Sequence, residues 1–377
     1  MRAWIVLAVA AAVGQSVTVS SQQPADPIMG ILSQPNVHGW KNECGEYVQQ
    51  TYVDWLAAAG VRAVPVHYNS EPGALRALLA QLNGVLFTGG GLSFQQQPQF
   101  YTTAQLIYNY TLGQNTAGNP FVLWGTCQGF QLIATIAAES NYSVLECDYV
   151  GMEPAMIPLD LAPNAMQSRF FSDLSTSSPL LQNDFTRLNT TANLHACGVQ
   201  PASWNENAGL REQFTVISTN VDTHGKPFVS TYEHNTANIY GTQWHPEAAQ
   251  FWYGQGLNKR EETLRVSQYA ANFLASKLRT TRGTFPAVVL KADGSAPDDT
   301  WLPTLMPQYP IVHNPAQEYV GFYCVAPNSP TRATLQAERN ALFVVVAALA
   351  VAFLVALGCC VAGRRRAANY DEVKSAE

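Results

Sequence analysis

Charge is scarce in this chain. Only 13% of its 377 residues are Asp, Glu, Lys or Arg, and 21 basic against 27 acidic residues leave a formal net charge of −6. The Lys and Arg are scattered and form no basic stripe of the kind that tracks a nucleic-acid backbone, so nucleic acid is not expected as a partner. The sequence also lacks G-x-x-x-x-G-K-[ST], G-x-G-x-x-G, H-E-x-x-H and C-x-x-C. Those absences count against a nucleotide cradle and against a zinc site, and no metal or organic cofactor is expected. No internal repeat is visible, so a repeat array is excluded.

What is present is apolar. Hydrophobic residues make up 47% of the chain, enough to fill the core of one large or two ordinary domains. Both ends carry long apolar runs. AWIVLAVAAAV follows Met1 and Arg2 and gives way to small polar residues, so residues 1–20 read as a signal peptide. An uncleaved anchor or a buried strand is the other reading of that run. Residues 341–362 contain no charge and as a helix would reach roughly 33 Å, a bilayer's hydrocarbon thickness. They are expected to be a transmembrane helix. Arg364, Arg365 and Arg366 follow directly and favour the cytoplasmic side, which makes 363–377 a cytoplasmic tail and puts the body in the lumen or outside, as a single-pass type I protein. Tyr370-Asp371-Glu372-Val373 has the form of a tyrosine sorting signal, consistent with a lysosome or vacuole, and also with a merely solvated tail.

Sequons at Asn109, Asn141 and Asn189 fit that orientation. An oxidising compartment should pair some of the five body cysteines, Cys44, Cys127, Cys147, Cys197 and Cys324, and an odd number leaves one over.

From residue 27 the chain alternates short strand-like runs with helical periods. Strands are expected at 28–33, 61–66, 84–87 and 121–125. Helices are expected from the stripe Val48, Tyr52, Trp55, Leu56 and Ala59, from the leucines after Pro72, at 100–112 and from Gly129 through Ala138. Gly60 stands where a helix end commonly needs left-handed backbone. This rhythm implies an α/β fold with a mostly parallel, doubly wound sheet and helices on both faces, its sites at the carboxyl ends of the strands. Antiparallel strands at 213–220, 228–234 and 238–245 extend the sheet, and a helix at 261–278 closes the domain. Residues 281–340, rich in Pro, Asp and Asn, read as an irregular stalk.

FVLWGTCQGFQL, residues 121–132, holds the first chemical question. Its G-x-C-x-G core is the thiol version of a nucleophile turn between strand and helix, where tight backbone demands glycine. A cysteine at a helix N-terminus also feels free N–H groups that favour thiolate. A buried structural cysteine fits the pentapeptide equally well. If Cys127 is a nucleophile it needs an oxyanion site and a base. Gly89, Gly90 and Gly91 follow a strand, and an N–H there, Gly90 in particular, together with that of Gln128 would form the hole; an ordinary βα turn is the plainer reading. Among seven histidines His245 stands apart, ending an apolar strand in QWHPE, where Glu247 can orient the ring.

PIMGILSQP, YVDWLAAAGVRAVPV, LNGVLFTGGG, FVLWGTCQGFQL and YGTQWHPE, in this order over residues 27–280, resemble the class I glutamine amidotransferase superfamily and, within it, the folate γ-glutamyl hydrolase family. The resemblance implies Cys127 as nucleophile, His245 as proton donor and acceptor, and Glu247 as the acid of a triad. His195, in TTANLHACG, resembles a further histidine that the hydrolases place near the site; a surface loop is its plainer reading. Gln131 departs from the glutamate expected there in the animal hydrolases and puts its contact with the glutamyl substrate in doubt. The implied activity is cleavage of γ-glutamyl bonds in pteroylpolyglutamates through a thioester. A glutaminase and an inactive receptor on the same scaffold are alternatives: the first lacks an ammonia-receiving partner domain, and the second is at odds with an intact Cys127 and His245. A homodimer is compatible with this reading. If Cys127 is free, Cys44, Cys147, Cys197 and Cys324 remain for up to two bridges.

Overall fold

The computed structural model describes residues 26–37, 44–172, 174, 178–254, 256–284, 305–309, 311–314 and 317–327. Eight strands form the main sheet: β1 (Ile28–Leu32), β2 (Arg62–Val66), β3 (Gly84–Phe87), β4 (Val122–Thr126), β5 (Asp160–Leu161), β6 (Phe214–Val221), β7 (Pro227–His234) and β8 (Ile239–Thr242). Their spatial order is β2-β1-β3-β4-β8-β7-β6-β5. The first five run parallel, and β7, β6 and β5 are added antiparallel. That is the α/β sheet with an antiparallel extension that the sequence rhythm implies.

Period-two alternation assigns each strand's side chains to two faces. In β1, Ile28 and Leu32 enter one apolar cluster and Met29 and Ile31 the other. The first cluster is covered by α2 (Pro72–Leu79), α3 (Pro98–Thr116) and α4 (Gln128–Ala137). The second is covered by α1 (Gln50–Ala58) and α5 (Glu261–Arg279), through Trp55, Leu56, Ala270 and Leu274 among others. Helices therefore lie on both faces. All ten residues of α4 are buried, Gln128, Gln131 and Thr135 among them, and side chains such as Phe130, Leu132 and Ile133 each contribute roughly 1.5–3 kcal/mol by leaving water. Gly60 takes φ +73°, as a helix end requires.

Two expectations change. The stripe that begins at Val48 does not start a helix there: Cys44–Gln49 is a strand and α1 begins at Gln50. The segment 281–340 is not irregular throughout. Its residues Ile311–Asn314 and Gln317–Pro327 are strands, joined with Cys44–Gln49 and Gln34–Pro35 in a second, four-stranded sheet. Met306, Tyr323 and Val325 are buried in the main core, and Cys324 is bridged to Cys44. The reason is long-range pairing: the strand's partner lies about 280 residues earlier, beyond any local period.

A second bridge joins Cys147 to Cys197, and Cys127 is the free cysteine among the described residues. Asn109, Asn141 and Asn189 are exposed. The expected signal peptide, the 341–362 span and the tail lie outside the described residues. Among the described residues no helix is long and apolar enough to cross a membrane.

Candidate active site

The carboxyl ends of β3, β4 and β8, adjacent in the sheet, deliver the three sequence motifs to one place. Register aligns Phe87 with Gly125 and Thr126 with Thr242, so Gly89, Cys127 and His245 emerge side by side just beyond their strands. The Cys127 N–H donates to Thr242 O at 2.8 Å, which fixes the turn to β8. Cys127 takes φ +50° and ψ −106°, a conformation that a side chain of this type rarely adopts. The flanking glycines make it attainable. A Cβ on Gly129 would stand 2.0 Å from Phe87 O, and one on Gly125 2.5 Å from Gly129 O.

His245 and Glu247 are both buried, with His245 Nδ1 2.6 Å from Glu247 Oε1. Burial pulls the imidazole's pKa down, but Glu247 and the adjacent Cys127 overcome it and raise it to about 10. Among the described residues no hydrogen bond within ordinary limits reaches His245 Nε2, and Cys127 is the neighbouring group that acts on the ring. Glu247 caps no contact with solvent: it is fully buried beneath the ring it orients.

Tyr52, on α1, joins the site in a way the sequence does not reveal. Its hydroxyl lies 3.3 Å from His245 Nδ1 and accepts the Gly89 N–H at 2.8 Å. Burial first, and then the Glu247 and Cys127 charges, push its phenol well above its usual pKa, so it stays protonated. In the sequence Tyr52 is one position of an apolar helical stripe, and nothing local distinguishes it from core.

A cavity of about 490 Å³ opens beside Cys127, lined among others by Gly90, Gly91, Gln128, Gln131 and His195. Cys127 lines it too, whereas Gly89, His245 and Glu247 do not. His195 is buried, not on a surface loop. Its Nδ1 lies 3.0 Å from Cys197 O and its Nε2 3.2 Å from Asn193 Oδ1. Burial, aided by the charge of His245, lowers its pKa to about 4, so His195 is neutral where His245 is charged. Gln131 donates through Nε2 to Cys197 O at 2.7 Å and to Gln243 Oε1 at 3.2 Å. No lysine or arginine lines the cavity, and Glu153 is its one acidic side chain among the described residues. Among the described residues no three His, Cys, Asp or Glu side chains gather as a metal would need.

A thiol on a strained turn, an imidazole held by a buried carboxylate and an adjacent cavity make up the apparatus of a cysteine hydrolase. Comparison with known proteins gives the family. Peptidase C26 matches residues 27–247. γ-Glutamyl hydrolase B of Dictyostelium discoideum is 32% identical over 69% of this chain and 74% of its own length. The γ-glutamyl hydrolase of Bos taurus is 31% identical over 71% and 82%, and that of Homo sapiens 31% over 69% and 80%. The chain belongs to the peptidase C26 family and is an enzyme of the γ-glutamyl hydrolase class.

Proposed function

We propose that this chain cleaves γ-glutamyl bonds of folate polyglutamates through a thioester on Cys127. The observation that carries the reading is the placement of Cys127 on a positive-φ turn beside a histidine whose Nδ1 lies 2.6 Å from a buried carboxylate. Cys127 Sγ attacks the γ-carbonyl carbon, and the oxyanion receives the N–H groups of Gly90 and Gln128. His245 protonates the leaving nitrogen of the glutamate or oligoglutamate as the C–N bond breaks. Water then attacks the thioester, His245 takes its proton, and Cys127 is released with the shortened pteroyl product. Nothing in this sequence of steps draws on a metal or an organic cofactor.

Among the described residues no lysine or arginine lines the cavity, and there substrate α-carboxylates meet neutral donors. Gln131 and His195 line the cavity with their N–H groups already engaged by Cys197 O, Gln243 Oε1 and Asn193 Oδ1, so backbone N–H groups of the lining meet the substrate. The reading extends to topology: a lumenal catalytic domain anchored by residues 341–362 in a lysosomal, vacuolar or surface membrane rests on that segment's length, the arginines after it and the exposed sequons. Protease added to intact, lumen-inside vesicles should digest the tail and spare the catalytic domain; protection of the tail overturns the topology.

For the activity, the chain is incubated with pteroylpolyglutamate and separately with free glutamine, beside Cys127→Ala. Shortening of the polyglutamate by the wild type alone is the expected result. Ammonia from glutamine without shortening overturns the substrate, and activity in Cys127→Ala removes the nucleophile.

A further inference from the structure

The loop that should hold the oxyanion, Gly89-Gly90-Gly91, is the least constrained backbone a protein can build. Between two glycines a peptide plane can rotate with no Cβ to oppose it, and a half-turn would present a carbonyl oxygen, not an N–H, to a developing negative charge. Something outside the loop must fix it. Gly89 is held at both ends: its N–H donates to Tyr52 Oη at 2.8 Å and its carbonyl accepts from Gln34 Nε2, also at 2.8 Å. In a trans peptide the carbonyl and the next N–H point in opposite directions, so the bond from Gln34 turns the Gly90 N–H away from Gln34.

Gln34 is itself buried and fully engaged. Nε2 donates also to Thr88 Oγ1 at 3.1 Å, and Oε1 accepts from Tyr47 Oη at 3.0 Å, which fixes which end of the amide faces the loop. A Cβ on Gly90 would fall 2.4 Å from Gln34 Nε2 and 2.5 Å from Oε1, so the loop packs directly against this amide. Gln34 and Tyr47 belong to the second sheet, not to the main one. Tyr47 packs edge-on against Phe322 with ring centroids 5.4 Å apart, and its strand is bridged through Cys44 to Cys324.

We infer that Gln34, set by Tyr47 and the second sheet, is a positioning residue that holds the Gly89–Gly90 peptide in the orientation that donates the Gly90 N–H to the oxyanion. The inference rests on the catalytic reading given above. It also assigns a task to the C-terminal strand Gln317–Pro327, which lies beyond the 27–247 match: it braces the strand that carries Tyr47.

The test compares Gln34→Ala and Tyr47→Phe with wild-type full-length chain by three readouts: kcat and KM on pteroyldiglutamate, inhibition by a γ-glutamyl aldehyde, and the rate of Cys127 alkylation by iodoacetamide. The aldehyde forms a hemithioacetal whose oxygen sits in the hole, whereas alkylation develops no oxyanion. Gln34→Ala should lower kcat by roughly 10–100-fold with KM within about twofold, and weaken the aldehyde by a similar factor. Alkylation should stay at the wild-type rate. Tyr47→Phe keeps the ring and should cost kcat roughly 3–10-fold with the same signature; it decides the matter if Gln34→Ala does not fold. Unchanged kcat and aldehyde affinity overturn the inference, as does a parallel loss of alkylation, which would place the effect on Cys127 instead. Activity persisting in Cys127→Ala fails the catalytic reading, a result that neither Gln34 nor Tyr47 can produce.

Discussion

Glu247 Oε1 lies 2.6 Å from His245 Nδ1, with both side chains closed off from solvent. A carboxylate so placed holds the imidazole's orientation and its positive charge. Glu247→Gln keeps the shape and removes the charge, so kcat is expected to fall by roughly 100-fold. The alkaline limb of the kcat profile should move to lower pH, since His245 loses the charge that raises its pKa to about 10. A histidine whose pKa rises on folding stabilises fully below its unfolded value near 6.5 and loses that contribution as pH climbs toward 10. Urea unfolding at pH 6 and pH 10 should therefore differ more in the wild type than in the variant.

The turn at Cys127 tolerates no side chain at Gly129. Its Cβ would stand 2.0 Å from the Phe87 carbonyl oxygen, a backbone atom that can yield only if β3 and α4 separate. Gly129→Ala should cost about 3 kcal/mol in chemical denaturation and most of the activity. Gly91→Ala, where nothing lies within 4 Å, should leave stability within about 0.5 kcal/mol of wild type.

His195 and His234 are held neutral, with folded pKa values lowered to about 4, in each case first by burial. Between pH 6.5 and 4 the unfolded chain binds protons that the folded one does not, so stability should fall as pH falls through that window. His195 alone accounts for up to about 3 kcal/mol at the acid end. His195→Gln should flatten the acid slope of the unfolding free energy without abolishing it, because His234 remains.

Gln131→Glu tests the departure seen in the sequence. The amide donates to Cys197 O and Gln243 Oε1, two acceptors that a carboxylate would face without a proton to give. The variant should lose about 1–3 kcal/mol at neutral pH and raise KM, measured by thermal unfolding and steady-state kinetics.

Cys197 also closes one wall of the cavity through its bridge to Cys147. Replacing both by serine releases a loop of 50 residues, which should cost about 4 kcal/mol in stability. KM should rise more than kcat falls, because the Cys197 carbonyl that orders Gln131 and His195 is then free to move.

Much of the site is legible from short strings. Cys127 and its glycines, the GGG turn and QWHPE each sit beyond an apolar run, and a parallel sheet brings such strand ends together. Tyr52, Gln34 and Tyr47 carry no such mark. Tyr52 shares a helical stripe with true core residues, and Gln34 is a polar residue two positions past β1 whose partners lie 13, 54 and 55 positions away. A faint signal existed in the polarity of Gln34 immediately after an apolar strand.

By itself the sequence determined the order of the parallel strands and the helices between them, the odd cysteine and the cysteine, glycine and histidine motifs, because these depend on periods and spacings a few residues long. Only the tertiary structure decided that Cys44 pairs with Cys324, that a segment expected to be irregular adds two strands to a second sheet, and that Tyr52 and Gln34 pin the glycine loop. Those contacts join residues far apart in the chain, and their free energy exists only once the core has brought them together.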